Sequence, residues 1–448
     1  MNFQRVTTAI VLLCVSLLAQ SISAEEILAD RQPSKAESGR SDREAKRERE
    51  DFYELLMTFA DTIDQIDRNY VEKVSREELL EAAIEGILKK LDPHSNYIPP
   101  SELDSFKTEV ENEFGGVGIQ ISRRNGQLSV ISPLVGSPAY RSGIVAGDLI
   151  LSIDGTPTKD LTISDTVKKM KGPPGSEVTL SVFHLLTSKT EDIKLQREVV
   201  KVDTVLGDRR NPDDTWKYMY DDAAKIGYVR LTTFGRETAQ DLRAELKILE
   251  GDGLRGLILD LRFNPGGLLR GAIEVSDLFL STGRIVSTDG RNVDRQSWDA
   301  TEPNTFSGFP MVVLVNQFSA SASEIVSAAL QDHERAVVVG QQTFGKASVQ
   351  NVVELDGGKS ALKLTTGSYQ RPSGKPIHRF PDATEWGVRP NEGFAVPLSD
   401  YELQRLINRR YERDIVKTQS YSEPTTNFDP QLRRALNHIR TEIAKSGK

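Results

Sequence analysis

The spacing of apolar residues first predicts a helical segment. Between residues 52 and 104, apolar side chains recur every three or four positions, as at Leu55 and Phe59, which is the period of an amphipathic helix. Ser75 and Glu78 form the capping-box pattern that opens a second helix. We therefore expect this segment to fold as a small helical unit.

Between residues 105 and 200 the pattern changes to short alternating runs separated by glycine-rich turns. The run that contains Ile119 and Ile121 follows the glycine-rich stretch Gly115–Gly118. Alternation with a period of two residues is typical of half-buried strands. Three further strands and one helix are predicted, at Leu128–Ile131, Leu149–Ile153, Val178–Phe183 and, for the helix, Leu161–Met170.

From Lys225 onward predicted strands and helices alternate, which indicates an α/β domain. Apolar runs such as Leu257–Leu259 suit a sheet that is covered on both faces. The strands expected are Ile226–Leu231, Leu254–Leu261, Met311–Val315, Ala336–Val339, Ser348–Leu355 and Ala361–Tyr369, and the helices are Glu237–Leu249, Leu268–Leu280 and Ser321–Gln331. The tail from Tyr401 to Lys448 is basic and has helical spacing.

The first 24 residues have the pattern of a secretory signal peptide. Arg5 supplies the positive start, residues 6–19 are apolar, and Ala24 ends a small-residue cleavage site. An apolar run of about 14 residues is shorter than the ~20 that span a bilayer, so we expect cleavage instead of a single membrane anchor. The mature protein is then exported, to the bacterial periplasm or the medium, and begins with a polar linker over residues 25–51.

Cysteine, histidine and charge exclude several classes of function. Cys14 is the single cysteine among 448 residues and lies in the signal, which excludes disulfides, Cys-ligated zinc and iron–sulfur clusters from the mature protein. The five histidines are all more than four residues apart, so no local metal-binding motif is present. A net charge of −8 argues against nucleic acid or an anionic membrane surface as a partner. We therefore expect no metal and no cofactor.

Two short motifs suggest other chemistries, and the expected local structure argues against both. Gly340–Lys346 fits the phosphate-binding pattern G-x-x-x-x-G-K, but such a loop must open a helix, whereas a strand is expected after it. Ser360 and Lys363 match the S-x-x-K motif of the penicillin-recognising enzymes. On a strand, residues three apart point to opposite faces, so these two side chains cannot cooperate.

Three other features are compatible with catalysis by a serine side chain. Ser319–Glu324 opens a helix, whose free N–H groups favour negative charge, although Ser321 with Glu324 is also a plain capping box. The loop Asp260–Gly267 follows a buried strand and either presents N–H groups to an oxyanion or simply turns the chain. Lys346 is the third feature, and most lysines are only solvated.

In their order along the chain, these features resemble the carboxyl-terminal processing peptidases, or tail-specific proteases, over residues 85 to 400. The matching stretches are Leu91–Ser95, Gly116–Ile119, Ala146–Asp148, Asp260–Gly267, Ser319–Glu324, Thr343–Lys346 and, nearer the end, Phe428–Leu432. The resemblance implies a serine endopeptidase with an α/β catalytic core of the crotonase/ClpP-like type, an inserted PDZ domain and helical segments at both ends. The implied divisions are a helical segment at 52–104, the PDZ domain at 105–200, the catalytic core at 201–400 and a helical tail at 401–448.

The resemblance also implies roles for individual residues. Ser321 would be the nucleophile, Lys346 the general base and Gln350 the residue that orients the lysine. A lysine accepts a proton only in its neutral form, which burial favours. The backbone N–H groups implied for the oxyanion hole are those of Ala322 and of one of two glycines, Gly266 or Gly267.

The implied PDZ domain would bind partner proteins by their accessible apolar C-termini. Gly116, Val117, Gly118 and Ile119 would bind the terminal carboxylate, and the peptide would lie as an added strand beside Ile119 and Ile121. The sequence leaves open whether the PDZ domain tethers the substrate or switches activity on. It also leaves open the natural substrates, the cleavage preference and whether a second copy or an adaptor protein binds.

The function that these features favour is an exported endopeptidase. The alternative is a non-catalytic PDZ scaffold or ligand-binding protein on the same fold. The presence of Ser321, Lys346 and Gln350 together favours the protease.

Overall fold

The computed structural model describes residues 42–103, 106, 113–124, 126–303, 305–416 and 429–446. The predicted signal peptide and its cysteine lie outside the described residues. The described residues up to 103, together with 350–365, form a smaller unit, and the other described residues form a larger one.

The smaller unit is built on two helices, α1 (Asp42–Asn69) and α2 (Arg76–Lys89). Because residues 42–51 are rich in the strong helix formers Arg, Glu, Lys and Ala, α1 begins before the predicted position 52, and the predicted linker does not extend past residue 41. The capping box is confirmed: the Glu78 N–H donates to Ser75 Oγ (3.1 Å), and the Ser75 N–H donates to Glu78 Oε2 (3.2 Å).

Large apolar side chains of α1 are exposed: Phe52, Tyr53, Leu55, Leu56, Met57 and Phe59. The helical period predicted here is therefore right, but these side chains do not contribute to a core. No helix in the described ranges is long and apolar enough to cross a bilayer. The unit also contains the short strand β1 (Asn96–Ile98), which pairs antiparallel with residues 361–363.

The first part of the larger unit is the small β-rich domain expected from the alternating pattern. Its elements are β2 (Glu113–Gly116), β3 (Ile119–Arg124), β4 (Gln127–Pro133), α3 (Pro138–Arg141), β5 (Leu149–Ile153), β6 (Thr156–Pro157), α4 (Ile163–Met170), β7 (Glu177–His184), β8 (Lys189–Gln196) and β9 (Glu198–Lys201). Leu128, Ile150 and Leu180 lie in its buried core. The sheet has the order β3-β4-β5-β7-β8, so β3 is an edge strand, and β2 pairs with β9. The two ends of this domain therefore lie side by side.

The elements that follow in the chain are those of the expected α/β domain and of the tail. They are β10 (Val205–Leu206), β11 (Arg209–Arg210), β12 (Trp216–Lys217), β13 (Met219–Asp221), β14 (Ile226–Leu231), α5 (Thr238–Gly251), β15 (Gly256–Asp260), α6 (Leu269–Asp277), β16 (Arg284–Gly290), β17 (Val293–Asp299), β18 (Met311–Val315), α7 (Ala322–Asp332), β19 (Val337–Gly340), β20 (Ser348–Leu355), β21 (Ser360–Gln370), α8 (Asp400–Asp414) and α9 (Pro430–Lys445).

The central sheet of the core is buried on both faces. Its order is β10-β14-β15-β18-β19, and β14, β15, β18 and β19 run parallel. Alternate residues of β15 face opposite sides: Leu257 and Leu259 join the cluster formed with α5, α6 and α7, whereas Ile258 packs with Leu436 and Ile439 of α9. This arrangement explains the continuous apolar runs in the sequence.

The hairpin of β16 and β17 was not expected from the sequence. Its two strands pair antiparallel, and Ser287 of β16 also pairs with Gln370 of β21. The stretch Asp294–Gln296 in β17 is entirely polar, so the apolar alternation that marks a strand is missing there.

A buried network of ion pairs links the C-terminal helix α9 to the core. Arg262, just after β15, donates to Asp260 (2.7 Å) and to Asp429 at the start of α9 (2.9 Å), and Arg410 of α8 also donates to Asp260. Burial alone would raise the pKa of Asp260, but the charges of Arg262 and Arg410 outweigh it and hold the pKa far below its usual range.

We expect Asp429→Ala to lower the free energy of unfolding by roughly 3–5 kcal/mol, the cost of breaking a buried ion pair. Arg440→Ala on the same helix is the matched control, because Arg440 is half exposed in its pair with Asp221 and should cost about 1 kcal/mol or less. Urea unfolding followed by circular dichroism measures both. Equal losses for the two variants would contradict an anchoring role for Asp429.

Candidate active site

Three loops at the carboxyl ends of parallel strands contain Ser321, Lys346 and the two glycines predicted for the oxyanion hole, Gly266 and Gly267. They follow β15, β18 and β19 and span residues 261–268, 316–321 and 341–347. Such ends meet at one edge of a parallel sheet. The loops are bonded directly to one another, because the Ala320 N–H donates to the Asn264 carbonyl (3.1 Å) and the Phe344 N–H to the Ser319 carbonyl (3.0 Å).

Ser321 combines a strained backbone with a buried side chain. It is the N-cap of α7 with φ 53° and ψ −115°, whereas an ordinary N-cap residue has extended angles. Such a conformation costs a non-glycine residue about 1–3 kcal/mol. Ser321 is 1% exposed, and its Oγ has no hydrogen-bond partner in the described part of the chain. A hydroxyl held in this way is a suitable nucleophile.

Glu324, in the first turn of α7, connects Ser321 to the loop that carries Lys346. Its Oε2 accepts the N–H groups of Ser321 (2.9 Å) and Lys346 (2.8 Å). Its Oε1 accepts the Gly345 N–H (2.7 Å) and the Thr343 hydroxyl (2.5 Å). The loops of the predicted nucleophile and of the predicted base are therefore bonded to one carboxylate, and Lys346 itself is half-buried.

The environment of Glu324 shifts its protonation. Burial raises the pKa of Glu324 to about 7, while the hydrogen bonds from Thr343, Lys346, Gly345 and Ser321 act in the opposite direction. These donors are neutral groups, and so they offset only part of the cost of removing the charge from water.

Gly266 packs directly against the start of α7. A methyl group on Gly266 would lie 2.8 Å from Ser321 Cβ and 3.1 Å from the Ala322 nitrogen, and its φ of 111° also favours glycine. The Gly266 N–H donates to Asn264 Oδ1 (2.9 Å). That N–H group is therefore already used within the loop.

Gly267 differs from Gly266 in this respect. Its N–H has no hydrogen-bond partner among the residues that the structure describes. A methyl group on Gly267 would lie 2.3 Å from the carbonyl oxygen of Phe234, so only glycine fits. Ala322 is the first residue of α7, where N–H groups are not used by the helix itself.

Gln350 lies in β20, where it is buried and joined to the Leu91–Ser95 motif through Thr365. Gln350 Nε2 donates to Thr365 Oγ1 (3.4 Å), and that hydroxyl donates to Asp92 Oδ1 (3.2 Å). The Thr365 N–H donates to Ser95 Oγ (3.0 Å). Burial acts to raise the pKa of Asp92, but hydrogen bonds from Ser95, His94 and Thr365 outweigh it and lower the pKa.

The two competing motifs have the local structure expected for them. Gly340–Lys346 is followed by strand β20 and not by a helix, so it lacks the helix N-terminus of a phosphate loop. Ser360 and Lys363 both lie in strand β21. No group of three or more His, Cys, Asp or Glu side chains suited to a metal ion occurs within the described residues.

The predicted peptide groove borders the free edge of β3. Gly118, at the start of this strand, has a φ of 73°, and Ser137 Oγ donates to its carbonyl (3.1 Å). A methyl group on Gly118 would lie 2.2 Å from Ser137 Cβ, so a side chain would disrupt the loop. Ile119 and Ile121 are half-buried. An edge strand with unpaired backbone groups can accept an added peptide strand.

Comparisons with known proteins identify the family. Residues 225–392 match the model of peptidase family S41, residues 130–182 match a PDZ domain, and residues 17–100 match the N-terminal domain of the activating protease CtpB. A carboxy-terminal-processing protease of Bartonella bacilliformis is 38% identical over 402 residues, which is 87% of this chain and 89% of that protein. The chain belongs to peptidase family S41.

Two further relatives of this S41 peptidase carry related names. The carboxy-terminal processing protease CtpA of Bacillus subtilis is 32% identical over 318 residues, covering 70% of this chain and 65% of that protein. The solved photosystem II D1 C-terminal processing protease is 30% identical, with a TM-score of 0.42 over 77% of this chain and 92% of that one. The protein is thus a serine peptidase with a PDZ domain, and its substrates are peptides or proteins.

Sequence reasoning missed part of the active-site surroundings of this S41 peptidase. The sequence pattern indicates Glu324 only as a helix cap, and it does not mark the hydroxyl of Thr343 or of Thr365. A signal for Glu324 is nevertheless present, since an acidic residue directly before the apolar residues of a buried helix must find buried partners. No sequence signal indicated that those partners lie in the Lys346 loop.

We expect Ser321→Gly to be more stable than Ser321→Ala. Glycine relieves the positive-φ strain of about 1–3 kcal/mol, whereas alanine keeps it. At Ser323, inside α7, the order should reverse, because glycine in a regular helix costs about 1 kcal/mol relative to alanine. Thermal unfolding of the four variants measures the difference. The same order at both positions would contradict a strained Ser321.

Proposed function

We propose that this S41 peptidase is an exported endopeptidase that recognises substrates by their C-terminal tails and hydrolyses peptide bonds with a Ser321–Lys346 dyad. The sequence pattern of the first 24 residues supports export. The PDZ domain supports tail recognition.

One observation carries the catalytic proposal: the buried, strained Ser321 shares a carboxylate partner with the backbone of Lys346. Both N–H groups donate to Glu324 Oε2, at 2.9 and 2.8 Å. A simple capping box requires neither a strained Ser321 backbone nor a bond to a loop more than twenty positions away. The arrangement supports a nucleophile and a base supplied by two adjoining loops.

The reaction follows from these roles. Neutral Lys346 Nζ accepts the proton of Ser321 Oγ while the oxygen attacks the scissile carbonyl carbon. Collapse of the tetrahedral intermediate breaks the C–N bond, and Lys346 returns the proton to the leaving amine. Water then gives a proton to the same lysine and attacks the acyl carbon; the ester bond to Ser321 Oγ breaks, and Lys346 returns that proton to the serine oxygen. Gln350, as the residue that orients Lys346, contributes hydrogen bonding without adding a charge.

For the oxyanion hole we propose the N–H groups of Ala322 and Gly267. The bond between the Gly266 N–H and Asn264 Oδ1 favours Gly267 over Gly266 as the second donor. Gly266 instead provides the close approach to Ser321, which a side chain would prevent.

We expect Ser321→Ala to abolish casein hydrolysis, because losing the nucleophile costs about 10⁶ in rate, and Lys346→Arg to be inactive, because arginine stays protonated. EDTA should not inhibit wild-type activity, because the proposed reaction uses no metal. Ser319→Ala and Ser323→Ala are the controls and should stay active. Any of three results would rule out the dyad. The first is an active Ser321→Ala beside an inactive Ser319→Ala or Ser323→Ala. The other two are an active Lys346→Arg and inhibition by EDTA.

For the PDZ domain we propose a carboxylate-binding role of the loop from Gly116 to Ile119. An apolar terminal residue would contact Ile119 and Ile121, and the peptide backbone would pair with the free edge of β3. If the PDZ domain tethers the substrate, a peptide in this groove competes with a second substrate. If the domain switches activity on, the same peptide stimulates cleavage of that substrate.

We expect amidation of a substrate's C-terminus to weaken its binding by roughly 1–3 kcal/mol, since a charge-assisted contact is lost. Titration of a fluorescent tail peptide, in its free-acid and amidated forms, measures this. A tail peptide added in trans stimulates cleavage of another substrate under switching and competes under tethering. Equal binding and cleavage of free and amidated substrates would contradict tail recognition and leave the dyad untouched.

A further inference from the structure

Glu324 has its full hydrogen-bonding capacity occupied at the junction of the nucleophile helix and the lysine loop. It is 0% exposed, and each of its two oxygens accepts two hydrogen bonds, from Ser321, Lys346, Gly345 and Thr343. An ionised carboxylate has about four acceptor sites. All four are used, and three of the donors lie in one loop, 341–347.

We propose that Glu324 is a positioning residue whose carboxylate sets the distance between Ser321 and Lys346 and so the rate of the chemical step, without touching the substrate. The proposal deepens the Ser–Lys mechanism and rests on it. Its basis is that one rigid planar group holds the backbone of both reacting residues.

A helix cap alone does not account for this arrangement. A cap needs one acceptor for the Ser321 N–H and is normally solvated, whereas Glu324 is buried at a cost in desolvation. A glutamine would be cheaper to bury, but its NH₂ group cannot accept hydrogen bonds. With glutamine the N–H groups of Ser321 and Lys346, or the donors from Thr343 and Gly345, would face another donor. Only a carboxylate accepts hydrogen bonds on both of its oxygens, so an acid at this position is explained if it must hold both loops at once.

Glu324→Gln tests this directly, since it keeps the shape of the side chain. We expect kcat to fall by about 10²-fold, the effect of misplacing a catalytic group by about an ångström, while KM stays unchanged. Hydrogen exchange of either the Gly345 or the Lys346 amide should become faster, because the two amides bind different oxygens of Glu324 and the NH₂ group of glutamine replaces one of them. The exchange measurement needs no substrate and is also made in a Ser321→Ala background.

Two sets of controls separate positioning from loss of stability. Ser327→Ala removes a buried hydroxyl one turn further along α7, which donates to the Ser323 carbonyl (2.7 Å), and should leave kcat unchanged. Thr343→Val removes one of the four bonds to Glu324 and should lower kcat, whereas Thr343→Ser keeps the hydroxyl and should restore it. If Glu324→Gln does not fold, the Thr343 pair decides the question.

The proposal is overturned if Glu324→Gln keeps the wild-type kcat, or if neither the Gly345 nor the Lys346 amide exchanges faster in it. It is also overturned if Thr343→Val and Thr343→Ser behave alike. Failure of the dyad would appear differently: Ser321→Ala or Lys346→Arg would stay active, while the exchange result at Glu324 would still hold.

Discussion

The parallel strands β14, β15, β18 and β19 are buried on both faces, and most of the larger unit's core follows from this constraint. A sheet of this kind needs a cover on each side. The helices between the strands cover one face, and α9, which comes from the far end of the chain, covers the other. Because parallel strands end at the same edge, the loops after β15, β18 and β19 are brought together there, and these loops contain the residues proposed for catalysis.

The same edge shows two different ways to bury a carboxylate. Asp260 faces the guanidinium groups of Arg262 and Arg410, whose positive charges lower its pKa. The four hydrogen bonds that Glu324 is shown to accept come from N–H and hydroxyl groups, and burial raises its pKa to about 7. The charge of the partners decides the direction, because dipoles offset less of the desolvation cost than full charges do. Asp260 therefore serves as a fixed structural ion, whereas Glu324 is held in place by its four donors.

The PDZ domain meets a different requirement, which is to remain open to a peptide while being attached to the core at both of its ends. Pairing of β2 with β9 joins those ends, so the domain can be inserted without stretching the chain. Its sheet leaves β3 at an edge, and Gly118 provides a turn in which a side chain has no room. The peptide recognition proposed for this domain would therefore depend on backbone groups more than on side-chain chemistry.

Sequence patterns alone predict the type of an element wherever burial restricts which positions are apolar. The apolar runs of β14, β15 and β18 predict strands, the spacing in α5 and α7 predicts helices, and the bounds found lie within a few residues of those expected. The motifs around Ser321 and Lys346 indicated serine-peptidase chemistry through their resemblance to a family, because they stand in the family's order along the chain. The hairpin β16–β17 is not marked by the sequence, since β17 lacks apolar alternation.

Hydrogen bonds between groups that are far apart in the chain are seen only in the folded structure. Nothing local in the sequence links Glu324 to Thr343 and Gly345, or Arg262 to Asp429, because these contacts arise from how strands and helices pack. The same holds for the choice between Gly266 and Gly267, which depends on where the Asn264 side chain points. Periodicity reports which face of an element is buried, whereas the partner of a buried polar atom is set by elements far away in the chain.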